Sequence, residues 1–472
     1  MNKKRIYFLI LALVGLVIAC GLPFIADHVL ISVEESETAP QEARFSDFQM
    51  ENTDDHLTFA LIVLEGVPSL PPDALIYAGA FRLPDASGGL GWGYSGQGMA
   101  FYPGGDPDGG TDDFPGSLFI VGHDYQLQVA EISIPEPVVS KTLDDLNTAQ
   151  TIQPFADITG GYITEALSLP VMGIEYLPAQ AGLSEEKLFF SIGQHFQVFE
   201  PSHGWASIDL SEPNPAGLWV FDGYTNYATS DYLFEIPRDW AETYVNGYTL
   251  GSGRFREGVW SGFGPALFAC APWVDGNPPA SGSTLKAVQP LLLYGVQVPD
   301  MPEIQTEPAT RMVGYAEADS WWGGAWLTSP LGDAVIFVGT KALGKNWYGF
   351  ANGMVWEFDC AENPVVDCPD VPEFPYQDRG FWAEDFIPAM LFYNPDDLAK
   401  VAQGIWASSD LQPYALLDLS EYWFDPEIRL EVYKYNLAGA AAFDRQHGIL
   451  YVVERQADGD LSVIHVFQIA RN

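Results

Sequence analysis

Basic residues are scarce. The chain of 472 residues carries 21 Lys and Arg against 63 Asp and Glu, a formal net charge of −42. Such a surface repels phosphate backbones and anionic bilayers, so nucleic acid is excluded as a partner. It suits a medium whose salt screens the self-repulsion, or a role in holding cations. Charged residues of both signs make up 18% of the chain, against ~25% in an average domain. With 47% apolar residues, the composition is far from that of a disordered chain. No long apolar run has a 3.6-residue period, which argues against helical solenoids and bundles. A Gly-x-Ser-x-Gly elbow, a P-loop and a dinucleotide fingerprint opening a helix are all missing. Histidines number only seven, and no spacing selects a triad. Paired carboxylates for glycoside hydrolysis cannot be picked out of 63 acids.

Cysteine is nearly absent, and the four fall in three settings. Asn2-Lys3-Lys4-Arg5 is a positive start, Ile6 to Ala19 is apolar, and Val17-Ile18-Ala19 stands directly before Cys20. This resembles a bacterial lipobox, in which a small residue precedes the cysteine that receives the lipid. The resemblance implies a signal peptide over residues 1–19, lipidation at Cys20, and export to the cell envelope. Gly21 stands where an inner-membrane retention signal has Asp, which implies an outer-membrane or cell-surface lipoprotein. The alternative is an uncleaved anchor, since residues 6–26 carry no charge and are long enough to span. Both place the bulk outside the cytoplasm. Cys360 and Cys368 flank Pro364 in a polar loop, where a short disulfide suits an oxidising compartment. Cys270 stands in an apolar run and reads as a buried small hydrophobe. Residues 20–72 read as an acidic tether punctuated by Pro68, Pro71 and Pro72.

Residues 73–472 read as all-β. A small residue followed by an apolar run recurs at Gly98–Pro103, Gly173–Pro178, Gly264–Phe268, Gly324–Leu327, Ala389–Tyr393 and Gly439–Asp444. A second apolar stroke follows at Leu118–Gly122, Leu188–Gly193, Val335–Gly339 and Ile449–Val453, then a third, more alternating one, as at Val129–Ile134. Repeats of this length mean solenoids, propellers or arrays. Small residues suit a crowded inner strand, so the pattern predicts a β-propeller of six blades, with five or seven as alternatives. Ala74–Leu83 has no unit of its own and is expected to close the ring by completing the last blade, which removes open edges. The alternative is a pair of β-sandwiches. The strand pattern resembles NHL-like and lactonase-like propellers, without a diagnostic motif, and so implies a fold rather than an activity.

Candidate chemistry lies where first and second strokes end, facing a central channel: Gln97, His123, Asp124, Glu175, Gln194, His195, Lys341, Glu454 and Arg455. Gly122-His123-Asp124 parallels Gly193-Gln194-His195. His123, Asp124 and His195, with Glu175, are candidate ligands of a divalent metal. In lactonase-like propellers an inner-strand Glu helps hold such a metal, and Glu175 is in a comparable place. The alternative is that the imidazoles satisfy local backbone groups. Asp106, Asp108, Asp112 and Asp113 around Gly109-Gly110 resemble an oxygen-rich calcium loop, or form a solvated turn. Trp321, Trp322 and Trp326, with Trp347 and Tyr348, are candidates for stacking on sugar rings or for filling blade interfaces. The expected function is that of an exported, lipid-anchored propeller binding a carbohydrate or protein at the cell surface. The alternative is a metal-dependent lactonase- or phosphoesterase-type hydrolase working in the channel.

Overall fold

The computed structural model describes residues 69–106, 114–164, 167, 170–194, 200–254, 261–297, 304–305, 310–356, 368–374, 376–425 and 438–470. All of them belong to one compact unit, residues 52–472. The signal segment 1–19, Cys20 and the tether to residue 68 lie outside the described residues.

Strands dominate, in five antiparallel blades around an axis. Blade I is Met99–Tyr102, Ser117–Val121, Val129–Ser133 and Thr151–Ala156. Blade II is Val171–Leu177, Lys187–Gly193, His203–Ala206 and Ala216–Phe221, with Thr284–Leu285 added in parallel at its edge. Blade III is Tyr232–Glu235, Leu250–Gly253, Leu267–Cys270 and Val288–Leu292. Blade IV is Ser320–Leu327, Ala334–Phe350, Arg379–Tyr393 and Ala415–Asp418. Blade V is Ala438–Asp444, Ile449–Asp458 and Leu461–Ile469, completed by the N-terminal strand Leu75–Arg82. That closing strand pairs antiparallel with Leu461–Ile469, from Leu75 opposite Ile469 to Arg82 opposite Val463. The expected ring closure is therefore present.

The blade number is five, not six. Ala389–Tyr393 is the end of the third strand of blade IV, and Gly264–Phe268 leads into the third strand of blade III. The inner strand of blade III, Tyr232-Leu233-Phe234-Glu235, contains no small residue. Its neighbours make the room instead. A Cβ on Gly173 of blade II would lie 1.8 Å from the Asp231 carbonyl oxygen, and one on Gly324 of blade IV would lie 2.7 Å from the Phe234 ring. Glycine is needed where two backbones approach this closely.

The sheets are apolar on both faces because each blade packs against two others. Five hydrophobic clusters fill the five junctions. One joins blade V to blade I, with Tyr451 and Ile464 against Met99 and Leu118. Cys270 is buried and unbridged at the junction of blades II and III. Burial pushes its thiol pKa up, as expected of an inert core residue. Among the described residues no helix is long and apolar enough to cross a membrane.

Candidate functional site

The channel itself is nearly shut. Gly98, Gly173, Gly323 and Gly324 bring the inner strands together around a void of about 10 Å³, room for roughly one water. No ligand fits inside, so the two axial ends are separate surfaces.

At the end where the inner strands begin, each of three second strands carries a cation one residue past the partner of the first inner-strand residue. Arg254 on blade III, Lys341 on blade IV and Arg455 on blade V occupy equivalent places, and each meets a carboxylate. Arg254 lies 3.3 Å from Asp231, both side chains 1% exposed, and its guanidinium sits over the Tyr227 ring at 4.6 Å. Lys341 donates to Asp319 at 2.7 Å, and Asp319 also accepts from the amides of Ala316 and Ala342. Burial raises the Asp319 carboxyl, with Lys341 opposing. Arg455 reaches across to blade I, donating to both Asp124 oxygens at 2.8 and 2.7 Å. Gln97 donates to Asp124 as well and accepts from the Met172 amide of blade II. These contacts join the start of an inner strand to the second strand beside it, or one blade to the next. They fasten the ring and leave little charge for a ligand.

At the opposite end four blades converge on a different set. Arg445, directly after the inner strand of blade V, donates from Nε to Glu235 of blade III at 3.2 Å. Its two Nη atoms donate to the carbonyls of Trp326 and Glu235 and to the Thr328 hydroxyl of blade IV, each at 3.2 Å. Arg445 and Glu235 are 29% and 32% exposed, so solvent reaches them. Glu175 of blade II stands beside this pair. Burial, then the Glu235 carboxylate, push its carboxyl well above the usual range, while Arg445 opposes them. The result is an acid whose neutral form is favoured, next to Glu235 and a fixed guanidinium.

The candidate metal ligands among the described residues are not brought together. His123 and Asp124 are at the first end and Glu175 at the second. His123 Nδ1 accepts from the Tyr125 amide at 3.2 Å, and its ring lies between Tyr94 and Tyr125. Asp124 is taken by Arg455 and Gln97. His195 lies outside the described residues. Among the described residues no three His, Cys, Asp or Glu side chains are grouped to hold a metal. Of the calcium loop only Asp106 is described, with Asp108, Asp112 and Asp113 outside.

Trp321, Trp322 and Trp326 are all buried. Trp321 and Trp326 fill the junction of blades III and IV, and Trp322 lines the axis beneath Arg455. None presents an open face for a sugar. Trp347 packs in a separate cluster, and Tyr348 meets Phe381 at a tilt, on the hairpin that extends the middle strands of blade IV. Cys368 is half of a disulfide, and Cys360 lies outside the described residues.

Glu454 faces the blade IV side while Arg455 faces blade I, because neighbouring residues on a strand face opposite sides. It bonds His465 at 2.8 Å and the amides of Phe424 and Asp425. Gly91-Trp92-Gly93-Tyr94-Ser95-Gly96 has dinucleotide spacing but feeds the inner strand of blade I rather than a helix. Sequence reasoning missed Asp231, Arg254, Asp319, Glu235 and Arg445. The repeat itself points to them: each stands just outside an inner or second strand, or at its last residue.

No family model matches the chain, and no curated protein matches it.

Proposed function

We propose that the protein is exported, anchored through a lipid on Cys20, and binds a carbohydrate or protein ligand at the cell surface through the axial end that carries Glu175, Glu235 and Arg445. The observation that supports this is the fixation of Arg445 by groups from blades III and IV beside a third blade's carboxyl. Donors and acceptors held in place before a ligand arrives lose little entropy on binding. The sequence supports the envelope location through the lipobox-like Val17-Ile18-Ala19-Cys20. Mass spectrometry of the N-terminus of the mature chain tests it, since an unmodified Cys20 would overturn the anchor.

Binding is tested on a glycan array and by pull-down from envelope extracts, comparing the parent with Arg445→Met. Loss of captured ligand in the variant is expected, and equal capture would remove the axial end as the site. The hydrolase reading has one feature in its favour: an acid whose carboxyl is raised by burial beside a second acid is the pairing used in general acid–base catalysis. Elemental analysis before and after chelation tests the metal-dependent form and the calcium loop together. A stoichiometric transition metal would favour the enzyme, calcium alone would favour the loop, and neither metal would dismiss both.

A further inference from the structure

Away from the axis, on the outer side of blade II, the surface holds a cleft of about 450 Å³. That volume falls in the range of small-molecule sites, about 300–1,000 Å³. Three independent pieces of chain form its walls, and each is fixed by its own hydrogen bonds.

The first wall is the turn after blade I. Asp157 accepts from the Thr159 amide at 2.7 Å, from its hydroxyl at 2.5 Å, and from the Gly161 amide at 2.6 Å. Gly160 and Gly161 have φ of +72° and +85°, the left-handed region that favours glycine. A Cβ on Gly160 would meet the Pro215 ring at 3.0 Å, whereas one on Gly161 would meet nothing, so this side is open. Tyr162 follows, half-buried, and its hydroxyl donates to the Pro201 carbonyl at 3.3 Å, which ties the turn to the second wall. The third wall is the start of the outer strand, Ala216 to Leu218, to which the Gly282 amide donates at 2.8 Å. The exposed Ser281 stands at its rim. The cleft is therefore preformed.

Its lining has an unusual chemistry for this chain. In a protein of net charge −42, no described residue lining the cleft is charged. The walls are the Tyr162 and Pro faces, glycine backbone left uncovered, and the hydroxyls of Tyr162 and Ser281. An ion gains nothing from such a surface. A neutral ring gains twice: its C–H face packs on Tyr and Pro, and its hydroxyls reach backbone groups and hydroxyls. We infer that this cleft is a binding site for a neutral, disaccharide-sized glycan. Only the ligand class rests on the surface-binding reading above, because the site is remote from the axial end and can be tested without it.

The test is titration calorimetry of the full chain in detergent with maltose, lactose, cellobiose and N,N′-diacetylchitobiose, and separately with a proline-rich peptide. Saturable heat with at least one sugar is expected. Ser281→Trp, which fills the rim from an exposed turn, is expected to weaken it by about tenfold or more. Tyr162→Phe keeps the ring but loses the hydroxyl that lines the cleft and bonds Pro201, so it is expected to bind more weakly than the parent, while Tyr162→Ala is expected to fail. The inference is overturned if no sugar saturates, if Ser281→Trp binds as well as the parent, or if only the peptide binds. Loss of sugar binding in Arg445→Met with Ser281→Trp intact would also overturn it and return the glycan to the axis.

Discussion

Glu175 carries the clearest electrostatic signature at the axis. Its carboxyl is held well above the usual range by burial and by Glu235. An acid with a raised folded-state pKa favours the fold at low pH, and that advantage is lost as pH rises through the folded value. Glu175→Gln is therefore expected to be neutral near pH 4 and to raise the melting temperature near pH 8 by about 1–3 °C. Thermal scans across that range read the difference, and a constant offset would refute it. His203 works in the opposite sense. It is buried, its Nδ1 bonded to Ser202 and its Nε2 to Ser252 and the Thr229 carbonyl, with Phe221 stacked at 4.1 Å. Burial depresses the ring to about 3. Stability from the neutral ring is full above the unfolded value near 6.5 and is lost as pH falls toward 3, at roughly 1.4 kcal/mol per pH unit. Urea midpoints from pH 7 to 4.5 should therefore fall less steeply in His203→Gln than in the parent. At this scale the sequence was a poor guide. His123, Asp124 and Glu175 were visible as candidate ligands, but only the fold assigns them to opposite ends. Glu235 ends an inner strand that no small-residue motif marks, and Arg445 lies one residue past the marked strand Ala438–Asp444.

The ion pairs at the first axial end belong to the scale of the element, because they clamp one strand to another. Asp319 is wholly buried and Lys341 nearly so. Removing one partner leaves a charge without its counter-ion in a dry site, which costs about 3–5 kcal/mol. Asp319→Asn is expected to lose about that much in chemical denaturation, and Asp319→Asn with Lys341→Met is expected to recover much of it. A double variant no better than the single would mean that the carboxylate acts through the Ala316 and Ala342 amides instead. Strands were the most legible part of the chain. The second strokes at Leu118, Leu188, Val335 and Ile449 all fall on second strands, because a strand buried on both faces reads as an unbroken apolar run. The small-residue marker of inner strands succeeded for Gly98, Gly173, Gly324 and Gly439. It failed for Tyr232–Glu235, where the glycines that make space sit on the adjoining blades. A marker that depends on the neighbour cannot be read locally, and the surplus blade at Ala389–Tyr393 arose in the same way.

For the whole molecule the dominant fact is charge. With 63 acids against 21 bases, compaction works against self-repulsion that salt screens. Raising NaCl from about 10 mM to about 500 mM is expected to raise the melting temperature by several degrees. Calcium chloride at matched ionic strength separates screening from a specific site. An additional rise that a chelator reverses would support the calcium loop, and an equal rise would reduce calcium to a counter-ion.

The closing strand has a mechanical consequence. Leu75–Arg82 is both the first strand of the chain and the edge that completes blade V. Any pull applied upstream of Leu75 therefore enters the ring at its seam. Before reaching that seam, the incoming chain is gripped by blade IV. The Leu70 amide donates to the Asp333 carbonyl at 3.1 Å, the Tyr414 hydroxyl donates to the Leu70 carbonyl at 2.6 Å, and the Leu70 side chain is fully buried. This grip acts like the clamp on a cable, diverting tension into blade IV and away from the joint that would unzip.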